Sequence, residues 1–158
     1  MNILIENLSH YYNEKLALDD VSLIVESTER IGITGPSGGG KSTLLKLISG
    51  LYAVQAGVVS YSGVRAEAER RRLTAMVMQS AQLFPASIRD NITCGHDMDG
   101  DVVYRACEAA QLTDWISSLP DGLDAYVGER GGKVSGGQAQ RIAIARAIAK
   151  DAPVILLD

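Results

Sequence analysis

The stretch Gly35-Pro36-Ser37-Gly38-Gly39-Gly40-Lys41-Ser42 constrains this chain more than any other. It matches the pattern G-x-x-x-x-G-K-[S/T]. An alternating run before it, Arg30 to Thr34, reads as a strand, and Ser42 to Ser49 after it carries Leu44, Leu45, Leu47 and Ile48 at helical spacing, with Gly50 as a stop. The residue types dictate a chemistry. Glycines let successive backbone N–H groups turn inward around phosphate oxygens. A helix beginning near Lys41 points the positive end of its dipole at the anion. Lys41 is then placed to reach the β- and γ-phosphates, and the Ser42 hydroxyl to ligate Mg²⁺. The pattern alone leaves kinase, GTPase, helicase and transporter ATPase open.

Composition narrows the field. At 158 residues the chain has the size of one domain. Fifteen Lys and Arg against 19 Asp and Glu give a net charge of −4, which argues against general nucleic-acid binding. The longest apolar run, Ala152 to Leu157, is far short of the roughly 18 residues a membrane span needs. Met1 to Leu4 gives no sign of a secretory signal. Cys94 and Cys107, in no CxxC or His-rich cluster, read as reduced thiols of a cytosolic domain.

Along the chain, strands are expected at Asn2–Asn7, Val21–Val25, Arg30–Thr34, Gly57–Tyr61, Thr74–Met78 and Val154–Leu157. Helices are expected at 42–49, 66–73, 88–92, 102–110, 112–119 and 136–150, with a Gly- and Asp-rich loop at 120–132. Arg70-Arg71-Arg72 reads as a solvated face, and His10 and His96 as surface histidines. Strands and helices alternate at both ends of the chain. That predicts an α/β fold with a mostly parallel sheet, carrying a helical insertion in the middle.

A second signal lies at Val134-Ser135-Gly136-Gly137-Gln138, ahead of the strongest helix. Ser135 and Gln138 have the spacing of a capping box, and an ordinary cap is one reading. Gly136 and Gly137 in the first turn nevertheless cost about 1 kcal/mol each relative to Ala. That cost fits a backbone that something must approach, and bare amides at a helix N-terminus make a second anion site.

Ser135-Gly136-Gly137-Gln138, then Gln140-Arg141-Ile142-Ala143-Ile144-Ala145-Arg146-Ala147, then Val154-Ile155-Leu156-Leu157-Asp158, resemble the nucleotide-binding domain of an ABC transporter. Val134 stands where that signature usually has Leu. The resemblance covers essentially the whole chain. It implies a P-loop NTPase core with an N-terminal antiparallel β part, divided as 1–79 (β part and phosphate-loop core), 80–133 (helical insertion) and 134–158 (signature helix and Walker B strand). It also implies ATP and Mg²⁺ as cofactors. The ATP-binding residues are then Gly35, Pro36, Ser37, Gly38, Gly39, Gly40, Lys41, Ser42 and Thr43, with Tyr12 stacking on adenine and Tyr11 as its rival. Gln79 resembles the glutamine that senses Mg²⁺ and the attacking water. Asp158 resembles the Walker B aspartate, which makes Lys41, Gln79 and Asp158 the catalytic set and Ser42, Gln79 and Asp158 the metal set. Ser135, Gly136, Gly137 and Gln138 would meet ATP held by a second nucleotide-binding domain, arranged head to tail.

Leu83-Phe84-Pro85-Ala86-Ser87-Ile88-Arg89-Asp90-Asn91-Ile92 and Val127-Gly128-Glu129-Arg130-Gly131 resemble the exporter branch. They imply contact with the coupling helices of a transmembrane domain through 83–92 and Glu129, at the cytoplasmic face of the cell membrane. Phe84 reads equally as a partner anchor or as core. A non-catalytic nucleotide-binding module and a soluble ABC-type ATPase are the alternatives, and the exporter-like segments argue against the latter. In this family a Glu follows the Walker B aspartate and polarises the attacking water, and the strand after it inserts between the phosphate-loop and Walker B strands. The chain as given ends at Asp158, so it resembles a piece of a longer protein. No ladder is expected between 30–34 and 154–158, and Val154–Leu157 should pair with Thr74–Met78. These 158 residues alone should bind ATP with negligible turnover. Phosphate release that saturates with ATP and vanishes in Lys41→Ala would contradict this.

Overall fold

A computed structural model describes residues 1–158, the side chain of Arg130 excepted. Two compact units emerge, Met1–Thr74 with Asp158, and Ala75–Leu157.

The first unit is built on a three-stranded antiparallel sheet of order β2-β1-β3, formed by β1 (Ile3–Tyr12), β2 (Lys15–Val25) and β3 (Ala56–Tyr61). The central strand β1 and its neighbour β2 both run longer than their alternation predicts, because the pleat slips. β1 buries Ile3 and Ile5, changes register, and then buries Leu8 and His10. Asn7 absorbs the slip at φ 47°, and Asp20 on β2 does so at φ 48°. The backbone of Gly57 lies so close to this bulge that a Cβ would meet the Asn7 carbonyl oxygen at 2.4 Å. His10, expected at the surface, is buried as a result.

Helix α1 (Lys41–Ile48) buries Thr43, Leu44, Leu45, Leu47 and Ile48. Its final carbonyls lie in the protein interior, where a missing partner is costly. Two side chains supply donors: Arg70 Nη1 to the Leu47 oxygen at 2.7 Å and the Tyr61 hydroxyl to that of Ile48 at 2.9 Å, while the one Thr74 hydroxyl proton lies nearer the Arg70 carbonyl, at 2.9 Å, than that of Ser49, at 3.4 Å. Arg70 sits on α2 (Glu67–Leu73) and is fully buried, so the solvated-face reading fails at this residue, while Arg71 and Arg72 are exposed. Its positive charge also suits a helix C-terminus. Burial pushes the Arg70 guanidinium below its ordinary pKa, opposed by Glu67 and Tyr61, and burial pushes the Tyr61 hydroxyl up.

Arg30 to Thr34 forms no strand. Its alternation is real, but Ile31 and Ile33 remain exposed, and a strand needs a neighbour to pair with. The segment enters no ladder among the described residues.

In the second unit β4 (Thr74–Val77) pairs with β5 (Val154–Leu157), as expected. Helices α3 (Ile88–Thr93), α4 (Gly100–Ala109) and α5 (Thr113–Ser117) precede two 3₁₀ turns, Gly122–Asp124 and Glu129–Gly131, and then α6 (Gly136–Ala149). The loop predicted at 120–132 thus carries local helical turns. Helix α6 is lined with alanines and buries two faces: Ala143 and Ala147 pack on Ala75 and Val77, while Ile142 and Ala145 join Ile88, Ile92 and Val103. Arg146 leaves α6 to bond the Asn91 carbonyl at 2.7 Å, Asn91 Oδ1 at 3.2 Å and the Gln82 carbonyl at 3.1 Å.

Replacing Arg70 by Ala should lower the unfolding free energy by about 3 kcal/mol, through an orphaned Leu47 carbonyl and a cavity. Arg70→Met, which refills the cavity but leaves the Leu47 carbonyl orphaned, should still cost about 1–3 kcal/mol. Urea denaturation measures both. An alanine cost below about 0.5 kcal/mol, the range of ordinary surface sites, would refute the capping role.

Candidate nucleotide site

The phosphate loop lies against β2. Gly40 caps α1 at φ 81°, and a Cβ there would meet the Ala17 carbonyl oxygen at 2.4 Å and Leu18 Cδ2 at 2.8 Å. Only glycine satisfies both the left-handed conformation and that approach. With no side chain at the cap, the first amides of α1 stay open to an anion. Lys41 folds back over the loop, its Nζ donating to the Gly35 carbonyl at 2.8 Å and the Pro36 carbonyl at 2.7 Å. The ammonium is therefore held beside the cradle by contacts that phosphate oxygens can replace. The Ser42 hydroxyl donates to Asp158 Oδ1 at 2.7 Å, bringing together two residues far apart in sequence.

Of the two candidate tyrosines, Tyr12 is the one whose hydroxyl meets α1, 3.1 Å from Thr43 Oγ1. The Tyr11 backbone is tied to the Gln55 side chain at 2.7 and 3.1 Å. Tyr12 stands in a cluster that sequence reading missed. The His10 and Tyr52 rings stack at 5.9 Å and 19°, and Tyr12 stands nearly perpendicular to both. Lys46 Nζ lies 5.4 Å from the Tyr52 ring centroid. His10 Nδ1 is buried without a hydrogen-bond partner, a cost of about 1–3 kcal/mol. The inward parity of Leu8 and His10 was the available signal.

In the second unit Gln79 is exposed just past β4, and Gln140 of α6 reaches the preceding Met78 carbonyl at 3.3 Å. The Ser135–Gln138 capping box forms: Ser135 Oγ accepts from the Gln138 N–H at 3.2 Å, and Gln138 Oε1 from the Ser135 N–H at 2.7 Å. Gly136 and Gly137 are exposed, with nothing within 4 Å of where a Cβ would stand. Space, not crowding, surrounds these glycines. Phe84 is exposed rather than core, with the Arg146 guanidinium 5.2 Å from its ring. The Tyr126 hydroxyl donates to Glu129 Oε1 at 3.0 Å, and this bond raises the tyrosine's pKa.

The family profile described as ABC transporter matches residues 18–158. The chain belongs to the ABC transporter family. It is 43% identical to the ATP-dependent lipid A-core flippase of Pseudomonas aeruginosa over 98% of this chain and 27% of that protein. It is also 43% identical to a mycobactin import ATP-binding/permease protein of Mycolicibacterium smegmatis over 93% of this chain and 26% of that protein. Among solved structures, a bacterial Atm1-family ABC exporter with ATP bound superposes with a TM-score of 0.92 at 35% identity, over 99% of this chain and 29% of that one. The chain thus spans about a quarter of the length of the curated relatives it matches. Its fold is the α/β phosphate-loop fold of an ABC ATP-binding domain, and among the described residues no helix is long and apolar enough to cross a membrane.

Gly136→Ala and Gly137→Ala should each raise the melting temperature, by about 0.5–1 kcal/mol in stability, because a methyl group fits at both positions. A fall in stability would mean that these glycines serve the fold of the isolated chain.

Proposed function

We propose that this ABC domain is the ATP-binding part of an exporter-type membrane transporter, with ATP held between its phosphate loop and the Ser135–Gln138 helix end of a second nucleotide-binding domain. One observation carries the reading. The chain bears two helix N-termini whose backbone is open to an anion, α1 behind Gly40 and α6 at Gly136 and Gly137. A single phosphate group needs one such end, so the second is available for ATP bound elsewhere.

Within the site Tyr12 stacks on adenine, and residues 35–43 wrap the phosphates. Lys41 exchanges the Gly35 and Pro36 carbonyls for β- and γ-phosphate oxygens. Ser42 and Asp158, two hard oxygen donors already in contact, fit Mg²⁺, which takes one or two carboxylates together with substrate phosphates. When bound, Mg²⁺ neutralises charge that develops on the phosphates. Asp158 would hold that ion through water, and the resemblance gives Gln79 the role of orienting the attacking water.

Residues 83–92, with Phe84 exposed, and Glu129, held by Tyr126, face the coupling helices of a transmembrane domain at the cytoplasmic side of the membrane. Relatives of equal identity are named as a flippase and as an import protein, so an exporter-type architecture does not fix a direction of transport.

Calorimetry tests the phosphate site. Lys41→Ala should weaken ATP–Mg²⁺ binding about 10- to 100-fold, the loss of one or two charge-assisted hydrogen bonds. Equal affinity in both proteins would overturn the assignment. The α6 end is tested by ATP-dependent dimerisation, which Gly136→Ala should abolish while leaving ATP binding to the monomer unchanged.

A further inference from the structure

We propose that His10 and Tyr52 are positioning residues for nucleobase recognition, fixing the Tyr12 ring edge-on before a nucleotide arrives. The inference rests on the reading of Tyr12 as the adenine platform. Tyr12 is half exposed, and a free tyrosine at the end of a strand turns about two torsions. Here its ring is held at three points. The His10 centroid lies 5.1 Å away at 83°, the Tyr52 centroid 6.3 Å away at 79°, and the hydroxyl is 3.1 Å from Thr43 Oγ1. Both supports come from outside the phosphate loop: His10 from the buried side of β1, and Tyr52 from the segment after α1, where its backbone N–H bonds the Lys46 carbonyl at 3.1 Å. His10 and Tyr52 stack on each other, so each also fixes its neighbour. An oriented aromatic face costs less conformational entropy when a base lands on it. What the imidazole supplies is ring surface and not a hydrogen bond through Nδ1, because that atom is buried without a partner. Phenylalanine should therefore replace it.

The experiment compares calorimetric affinities of the full chain for ATP and for inorganic tripolyphosphate, which has no base to stack. His10→Ala and Tyr52→Leu should each lower the ATP-to-tripolyphosphate affinity ratio about three- to tenfold, the range of an aromatic pair. His10→Phe should leave the ratio within about twofold of the parent. A role confined to stability would move both ligands together, so an equal loss of both in either variant overturns the proposal. So does an unchanged ratio in Tyr52→Leu, a substitution at a half-buried position that keeps an apolar side chain. A parent chain that binds both ligands equally would sink the Tyr12 platform itself.

Discussion

The nucleotide site depends on the unequal ends of α1. A helix leaves four N–H groups open at its start and four carbonyls at its end. In α1 the start is kept bare by Gly40, and the end is closed by Arg70 and Tyr61, drawn from α2 and β3. The closed end can be buried because its carbonyls have donors. The open end can bind phosphate because nothing of the protein's own occupies it. A short helix has little stability of its own, so the packing of Leu44, Leu45, Leu47 and Ile48 holds both ends in place.

The same helix organises what surrounds it. Gly40 lets the loop settle on Ala17 and Leu18 of β2, the hairpin partner of the strand that carries His10 and Tyr12. Thr43 meets the Tyr12 hydroxyl, and Ser42 meets Asp158. Contacts to the loop carbonyls, to Asp158 and to Tyr12 thus converge on three consecutive positions of one helix turn, Lys41, Ser42 and Thr43. A shift of α1 moves all of these contacts together.

Features set by local sequence were legible without coordinates. The phosphate loop, the capping box at Ser135 and Gln138, and the alanine-rich α6 need only spacing and residue type. Features set by pairing or burial were not. Arg30 to Thr34 has the alternation of a strand and forms none, since a ladder is a property of two segments. The bulge at Asn7 hid the second half of β1, and with it the burial of His10. Arg70 looked like its neighbours Arg71 and Arg72, and only the fold reveals that it faces the end of α1. The aromatic support of Tyr12 was illegible for the same reason, because Tyr52 arrives from another segment.

Helix α6 meets a sharper demand than α1, since its start must stay open while its body is buried on two faces. Its capping box satisfies the Ser135 and Gln138 amides within the chain and leaves the glycine backbone exposed. The lost propensity of two glycines is offset further along, where alanines favour helix and fit closely against β4 and α3. Arg146 then pins the helix to the 82–91 segment through Asn91, whose side chain also holds the Phe84 N–H at 2.8 Å and its carbonyl at 3.0 Å. The exposed Phe84 and the open end of α6 therefore belong to one hydrogen-bonded body. Separating the 82–91 segment from α6 would break these part-buried polar contacts, each of which is costly to lose.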